Sequence, residues 1–196
     1  MYQAYFGLRE KPFALTPNTE FLVQLAPYQA CLNLLRVALG EGEGFIKVTG
    51  EVGTGKTLLC RALLNLLDAE RYQLAYLPNP CLSPLDLRQA LARELRIEAI
   101  ESHDAMSLLD ALHHRLIELA AQGKSTVLLI DEAQGLLSNA AAATALLVPI
   151  ENPSARTTWL LTSMEPEKFA SSANGKAILG RCTKIKLTGH TTRDLC

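Results

Sequence analysis

Residues 50–57 read GEVGTGKT, and this octapeptide decides the fold. Gly50, Gly55, Lys56 and Thr57 satisfy the pattern G-x-x-x-x-G-K-[ST], in which successive backbone N–H groups curl around phosphate oxygens. Side chains would obstruct the anion, and Gly50, Gly53 and Gly55 remove them. Lys56 is expected to reach the terminal phosphates and act in catalysis, and the Thr57 hydroxyl to ligate Mg²⁺. Glu51, Val52, Thr54 and Leu58 complete the stretch expected to line the phosphates. The following run, TLLCRALLNLL (57–67), reads as a helix whose positive end faces the anion. The preceding run, FIKVT (45–49), reads as a strand. Strand, glycine-rich turn and helix in that order are what phosphate binding requires.

Further along, TVLLIDE (126–132) ends an almost continuously apolar strand in Asp131 and Glu132. In an open parallel sheet, ligands collect at the carboxyl ends of the strands. Asp131 is therefore expected to hold Mg²⁺, usually through water. Glu132 is placed to accept a proton from an attacking water. An acidic pair after a strand can also serve only to cap the next turn. Coupled to the phosphate loop, it favours hydrolysis. The adjacent glutamate suits an ATPase layout, and the chain contains no N-K-x-D motif for reading guanine. ATP and Mg²⁺ are the expected ligands.

Outward from these motifs, QLAYLP (73–78), TTWLLT (157–162) and TKIKL (183–187) read as further short strands, making five with 45–49 and 126–130. Helical patterns lie between them. Ser83-Pro84-Leu85-Asp86 opens one helix, with Ser83 as cap, Pro84 in the first helical position and Asp86 closing a capping box. A longer one, about 104–121, places Leu109, Leu112, Leu116 and Leu119 at helical spacing and stops near Gly123. YQACLNLLRVAL (28–39) is a helix ended by Gly40 and Gly42, and NAAAATALL (139–147) reads as a short helix. Strands alternating with helices predict a parallel five-stranded sheet covered on both faces, an α/β architecture.

The chain of 196 residues, 48% hydrophobic, is long enough for one well-buried domain. Its 19 Lys and Arg against 20 Asp and Glu give a net charge of −1, so whole-domain attraction to nucleic acid is absent. No apolar run approaches the roughly 18–20 residues that span a bilayer. The opening MYQAYFGLREKPF lacks the basic and apolar regions of a signal peptide. The five cysteines, Cys31, Cys60, Cys81, Cys182 and Cys196, show no C-x-x-C pairing and are expected to be reduced, mostly buried thiols. A cytoplasmic location follows as the expectation. His103, His113, His114 and His190 have no metal-ligand spacing.

YFGLREKPFALTPNTEFL (5–22), GEGFIKVTGEVGTGKTLLCRALLN (42–65), YLPNPCLSPLDLRQALARELRI (76–97) and LLIDEAQGL (128–136) together resemble the MSHA-pilus biogenesis ATPases of the MshM type. More loosely they resemble the ExeA-type ATPases of the general secretion pathway. The resemblance covers about residues 1–137 and includes stretches with no catalytic part. It implies an AAA+ P-loop NTPase of the ASCE type, ATP with Mg²⁺ and homo-oligomerisation. It also implies a role in assembling pilus or secretion machinery, with partners at the inner membrane and peripheral attachment there.

After Leu137 the chain instead runs VPIENPSARTTWLLTSMEPEKF (148–169) and AILGRC (177–182), which look like the clamp-loader branch of AAA+ proteins. On that likeness Arg181 matches an arginine finger reaching a neighbouring subunit's ATP, although Gly180 replaces the usual serine. A polar residue at the end of the fourth strand should orient the attacking water. Thr162 and Ser163 are candidates, Ser163 being the choice, while the strict clamp-loader register would place Met164 there. Tyr28 and Pro27 stand where AAA+ proteins contact adenine, although an aromatic opening a helix equally suits the core. The expected organisation is an N-terminal segment at 1–41, an ATPase core at 42–188 and, at 189–196, the start of a helical lid that is missing or truncated. Two other readings stay open: a DNA-transaction AAA+ ATPase, and a nucleotide-gated interaction module without turnover.

Overall fold

The computed structural model describes residues 2–9, 11, 23, 25–78, 81–97, 105–134, 156–163 and 183–187. Five strands form one sheet: β1 (Phe45–Thr49), β2 (Tyr72–Leu77), β3 (Ser125–Ile130), β4 (Thr157–Ser163) and β5 (Thr183–Lys186). Their order is β2-β3-β4-β1-β5, and every neighbouring pair is parallel. The helices are α1 (Tyr2–Tyr5), α2 (Ala26–Gly40), α3 (Lys56–Leu66), α4 (Pro84–Glu94) and α5 (Ala105–Ala121). The predicted α/β sheet and its five strands are present. The second strand begins one residue earlier than its apolar pattern, because Tyr72 already pairs with Ser125.

Both faces of the sheet are buried, as continuous apolar strands require. Ala75, Leu77, Leu128, Ile130, Trp159 and Leu161 pack into one core with Leu87 and Leu91 of α4 and Leu112 and Leu116 of α5. The intervening residues Ile46, Val48, Val127, Leu129 and Leu160 point the other way, against Leu35 of α2 and Leu59 and Leu63 of α3. Period-two alternation sorts each strand's side chains between these two cores. On α5 the fully buried leucine of the first turn is Leu108, whereas Leu109 is only partly buried, so the apolar stripe lies one residue from the expected start. The stripe follows 108, 112, 116 and 119 because those positions face the sheet.

Helix ends follow local chemistry. Ser83 caps α4 by accepting the Asp86 N–H at 3.2 Å, while its hydroxyl donates to the Asp86 carboxylate at 2.6 Å. The predicted box thus closes side chain to side chain. α2 begins at Ala26, ahead of the expected Tyr28, since Pro27 fits a first turn that needs no N–H. α5 ends with Gly123 at φ +80°, where the Gly123 and Lys124 N–H groups bond back to Ala120 and Leu119. The predicted helix at 139–147 lies outside the described residues, as do the boundary at 188–189 and the lid segment beyond it.

Register positions the site. Val48 pairs with Thr162 and Thr49 with Ser163, while Ile130 pairs with Leu161. β4 therefore stands between β1 and β3, with its carboxyl end level with the loop after β1 and the acidic pair after β3. No described helix is long and apolar enough to cross a membrane.

Candidate nucleotide site

The loop after β1 has the shape of an anion cradle. Gly53 and Gly55 both adopt φ +83°, a left-handed conformation that favours glycine. Gly50 is fixed by space: a Cβ there would lie 2.7 Å from the Leu187 carbonyl oxygen and 2.8 Å from Thr54 Oγ1. The close approach arises because the Leu187 N–H, just past β5, bonds to the Thr49 carbonyl at 2.7 Å. Within the loop, Thr54 Oγ1 donates to the Glu51 carbonyl at 2.9 Å, and Val52 stands exposed at its tip. Leu58 follows Thr57 in the first turn of α3.

Lys56 opens α3 and is 6% exposed. Its ammonium donates to the carbonyls of Gly50, at 2.9 Å, and Glu51, at 2.7 Å, closing the loop on itself. An ammonium has three donors, so two brace the cradle and, among the described residues, the third is left for an anion.

The Thr57 hydroxyl donates to Asp131 Oδ2 at 2.7 Å, joining residues 74 positions apart. Asp131 is buried, and its other oxygen, Oδ1, accepts from the Thr162 hydroxyl and from the Glu132 N–H at 3.1 Å. Thr162 also accepts from that same N–H at 3.2 Å, and its carbonyl takes the Ala133 N–H at 2.8 Å. The end of β4 thus grips the turn after β3. Glu132 sits in this turn at φ +53°, a conformation that costs a non-glycine residue about 1–2 kcal/mol. The side chain of Glu132 is exposed and accepts from Gln134 Nε2.

A hard cation such as Mg²⁺ takes one or two protein ligands and leaves the rest to phosphate and water. A threonine hydroxyl touching a buried carboxylate beside a glycine cradle fits that ion. The residues that would hold it are Thr57 and Asp131.

The other expected residues divide. Tyr28 is buried in the α2–α3 core, and its ring carbon Cε2 would lie 3.8 Å from a Cβ on Gly55. It therefore backs the loop as a core residue, and its hydroxyl is buried without a hydrogen-bond partner among the described residues. Burial pushes its phenol pKa up, with Cys60 and Cys31 adding to the shift. Of Ser163 the strand backbone is described, opposite Thr49. Among the described β4 side chains, that of Thr162 contacts the acidic pair. Arg181 and Met164 lie outside the described residues. Cys31 and Cys60 are buried free thiols and Cys81 is exposed; Cys182 and Cys196 lie outside the described residues.

The family model described as an AAA domain matches residues 39–167, which contain the cradle, the acidic pair and four of the five strands. The chain belongs to the AAA domain family. General secretion pathway protein A of Aeromonas hydrophila is 35% identical over 167 residues, 85% of this chain and 30% of that protein. The chain thus spans less than a third of that relative's length. Among solved structures, the ADP form of the Aeropyrum pernix ORC2 protein superimposes with a TM-score of 0.70 at 18% identity. That match covers 94% of this chain and 53% of the other. The Aeropyrum pernix ORC1 protein in complex with DNA gives 0.70 at 17% identity, over 88% of this chain and 48% of that one. These likenesses show the AAA P-loop fold. The expected resemblance to the general secretion pathway ATPases holds, and an AAA domain of this kind is a nucleotide-binding domain.

Sequence reasoning missed Tyr76 and Gln134. Gln134 carries no motif signal. Tyr76 donates to Asp131 Oδ2 at 3.4 Å, but in the sequence it reads as an ordinary strand aromatic.

Proposed function

We propose that this AAA domain binds ATP with Mg²⁺ and hydrolyses it, and that turnover serves the assembly of a type II secretion or type IV pilus machine. The observation that carries the hydrolytic reading is the 2.7 Å contact between Thr57 and Asp131, with Glu132 next in the chain. Similarity to general secretion pathway protein A supports the biological setting.

In this reading Gly50 to Leu58 wrap the phosphates and Lys56 turns its free donor to the terminal one. Mg²⁺ held at Thr57 and Asp131 would neutralise charge on the phosphate oxygens. Glu132 takes a proton from the attacking water, within reach of solvent because its side chain is exposed. We assign the orienting role at the end of β4 to Thr162, whose hydroxyl contacts Asp131, in preference to Ser163. Arg181 is proposed, on its resemblance to the clamp-loader motif, to act on the nucleotide of a neighbouring copy in a homo-oligomer. The partners are assembly proteins at the cytoplasmic side of the inner membrane.

Phosphate release from Mg-ATP by the parent and by Lys56→Ala tests the reading. The parent is expected to turn over, and loss of this electrostatic donor should slow release by about 10²–10³-fold. Equal release from both proteins contradicts it. Tight ATP binding by a parent that releases no phosphate would instead favour a nucleotide-gated interaction module.

A further inference from the structure

Asp131 is buried, and each oxygen of its carboxylate accepts from two protein donors. Thr162 and the Glu132 N–H meet Oδ1, while Thr57 and Tyr76 meet Oδ2 at 2.7 and 3.4 Å. Tyr76 alone among these comes from β2, an edge strand. Its ring is half-buried against the α2–α3 core. Arg61, one helical turn beyond Thr57 on α3, brings its guanidinium charge near the phenol. A guanidinium can only donate, so it does not compete with Asp131 for the phenol proton. From the far side, Glu94 Oε2 on α4 accepts the Tyr76 backbone N–H at 3.1 Å.

We propose that Tyr76 is a positioning residue for the metal: with its backbone tied to Glu94 and Arg61 nearby, its phenol holds Asp131 Oδ2 turned toward Thr57. This rests on the reading of Asp131 as a Mg²⁺ site. Without the phenol, Oδ2 keeps, among the described residues, Thr57 alone, a residue the ion itself would engage. The carboxylate then has a rotational freedom that metal binding must remove.

The test is binding of a fluorescent ATP analogue across a Mg²⁺ titration, for the parent, Tyr76→Phe, Arg61→Gln and Asp131→Asn. Loss of an outer hydrogen bond of this kind should raise the Mg²⁺ concentration at half-effect about tenfold in Tyr76→Phe. Nucleotide affinity in excess EDTA and the melting temperature should stay at parental values. Arg61→Gln should shift the titration the same way, by less. A Tyr76→Phe titration superimposable on the parent's overturns the proposal. So does an equal loss of nucleotide affinity with and without Mg²⁺, which would denote a packing role. If Asp131→Asn keeps the parental Mg²⁺ dependence, the metal reading falls and the proposal with it. If Asp131→Asn abolishes that dependence while Tyr76→Phe does not shift it, the Tyr76 proposal alone fails. Should Tyr76→Phe not fold, Arg61→Gln decides on the same readout.

Discussion

Asp131 is where the two halves of the site become one object. Its carboxylate collects hydroxyls from α3, β2 and β4, so residues distant in sequence are tied within one hydrogen bond of each other. The density of small fixed donors explains how β3 can end in a buried charge: hydrogen bonds offset the cost of its desolvation. Gly50 shows the opposite constraint, one of space. Gly50→Ala is expected to lose about 1–3 kcal/mol of stability through overpacking against the Leu187 carbonyl, a backbone atom that cannot swing away. Urea unfolding would measure this, and an unchanged midpoint would mean that the loop relaxes freely. The thiols give a second check. Burial pushes the pKa values of Cys31 and Cys60 up, so both stay protonated and shielded at neutral pH, whereas Cys81 is exposed. Brief alkylation of native protein, mapped by mass spectrometry, should label Cys81 before Cys31 or Cys60. Faster labelling of Cys60 would place it outside the core.

Among the elements, helix ends and buried stripes carry most of the testable energetics. Arg96 follows α4 at φ +55°, and the Arg96 and Ile97 N–H groups bond back to Arg93 and Ala92. Glycine favours this left-handed position, so Arg96→Gly should raise stability by up to about 1 kcal/mol despite glycine's larger entropy loss. A lower melting temperature would contradict this. Leu112 is fully buried between α5 and the sheet, and Leu112→Ala should cost about 2–5 kcal/mol in chemical denaturation. Strands and helices were legible at this scale because period and capping are local. TVLLI announces a strand buried on both faces, and Ser83-Pro84 announces a helix start. What stayed hidden depends on register. The contact of Thr162 with Asp131 exists because β3 and β4 pair with Ile130 opposite Leu161, and one sequence alone does not reveal which residues of two strands lie level. Tyr76 was hidden for the same reason, since a strand tyrosine looks identical whether its hydroxyl meets water or a carboxylate.

For the whole molecule, the order β2-β3-β4-β1-β5 brings the carboxyl ends of β1, β3 and β4 to one edge, where the cradle and the acids meet. The AAA assignment belongs to this scale, because the matched region spans the sheet from before β1 to beyond β4. So does the proposed contribution of Arg181 from a neighbour. Specific ATPase activity should rise with protein concentration and fall in Arg181→Ala. Activity strictly proportional to protein concentration would mean that each copy works alone. In the proposed function one subunit carries the cradle, the metal pair and the base. Glu132→Gln tests it most directly, with Mg-ATP binding and phosphate release measured on the same preparation. The expected result is parental ATP affinity with phosphate release reduced by about 10²–10⁴-fold, the usual contribution of a positioned base. Parental turnover in Glu132→Gln would contradict it.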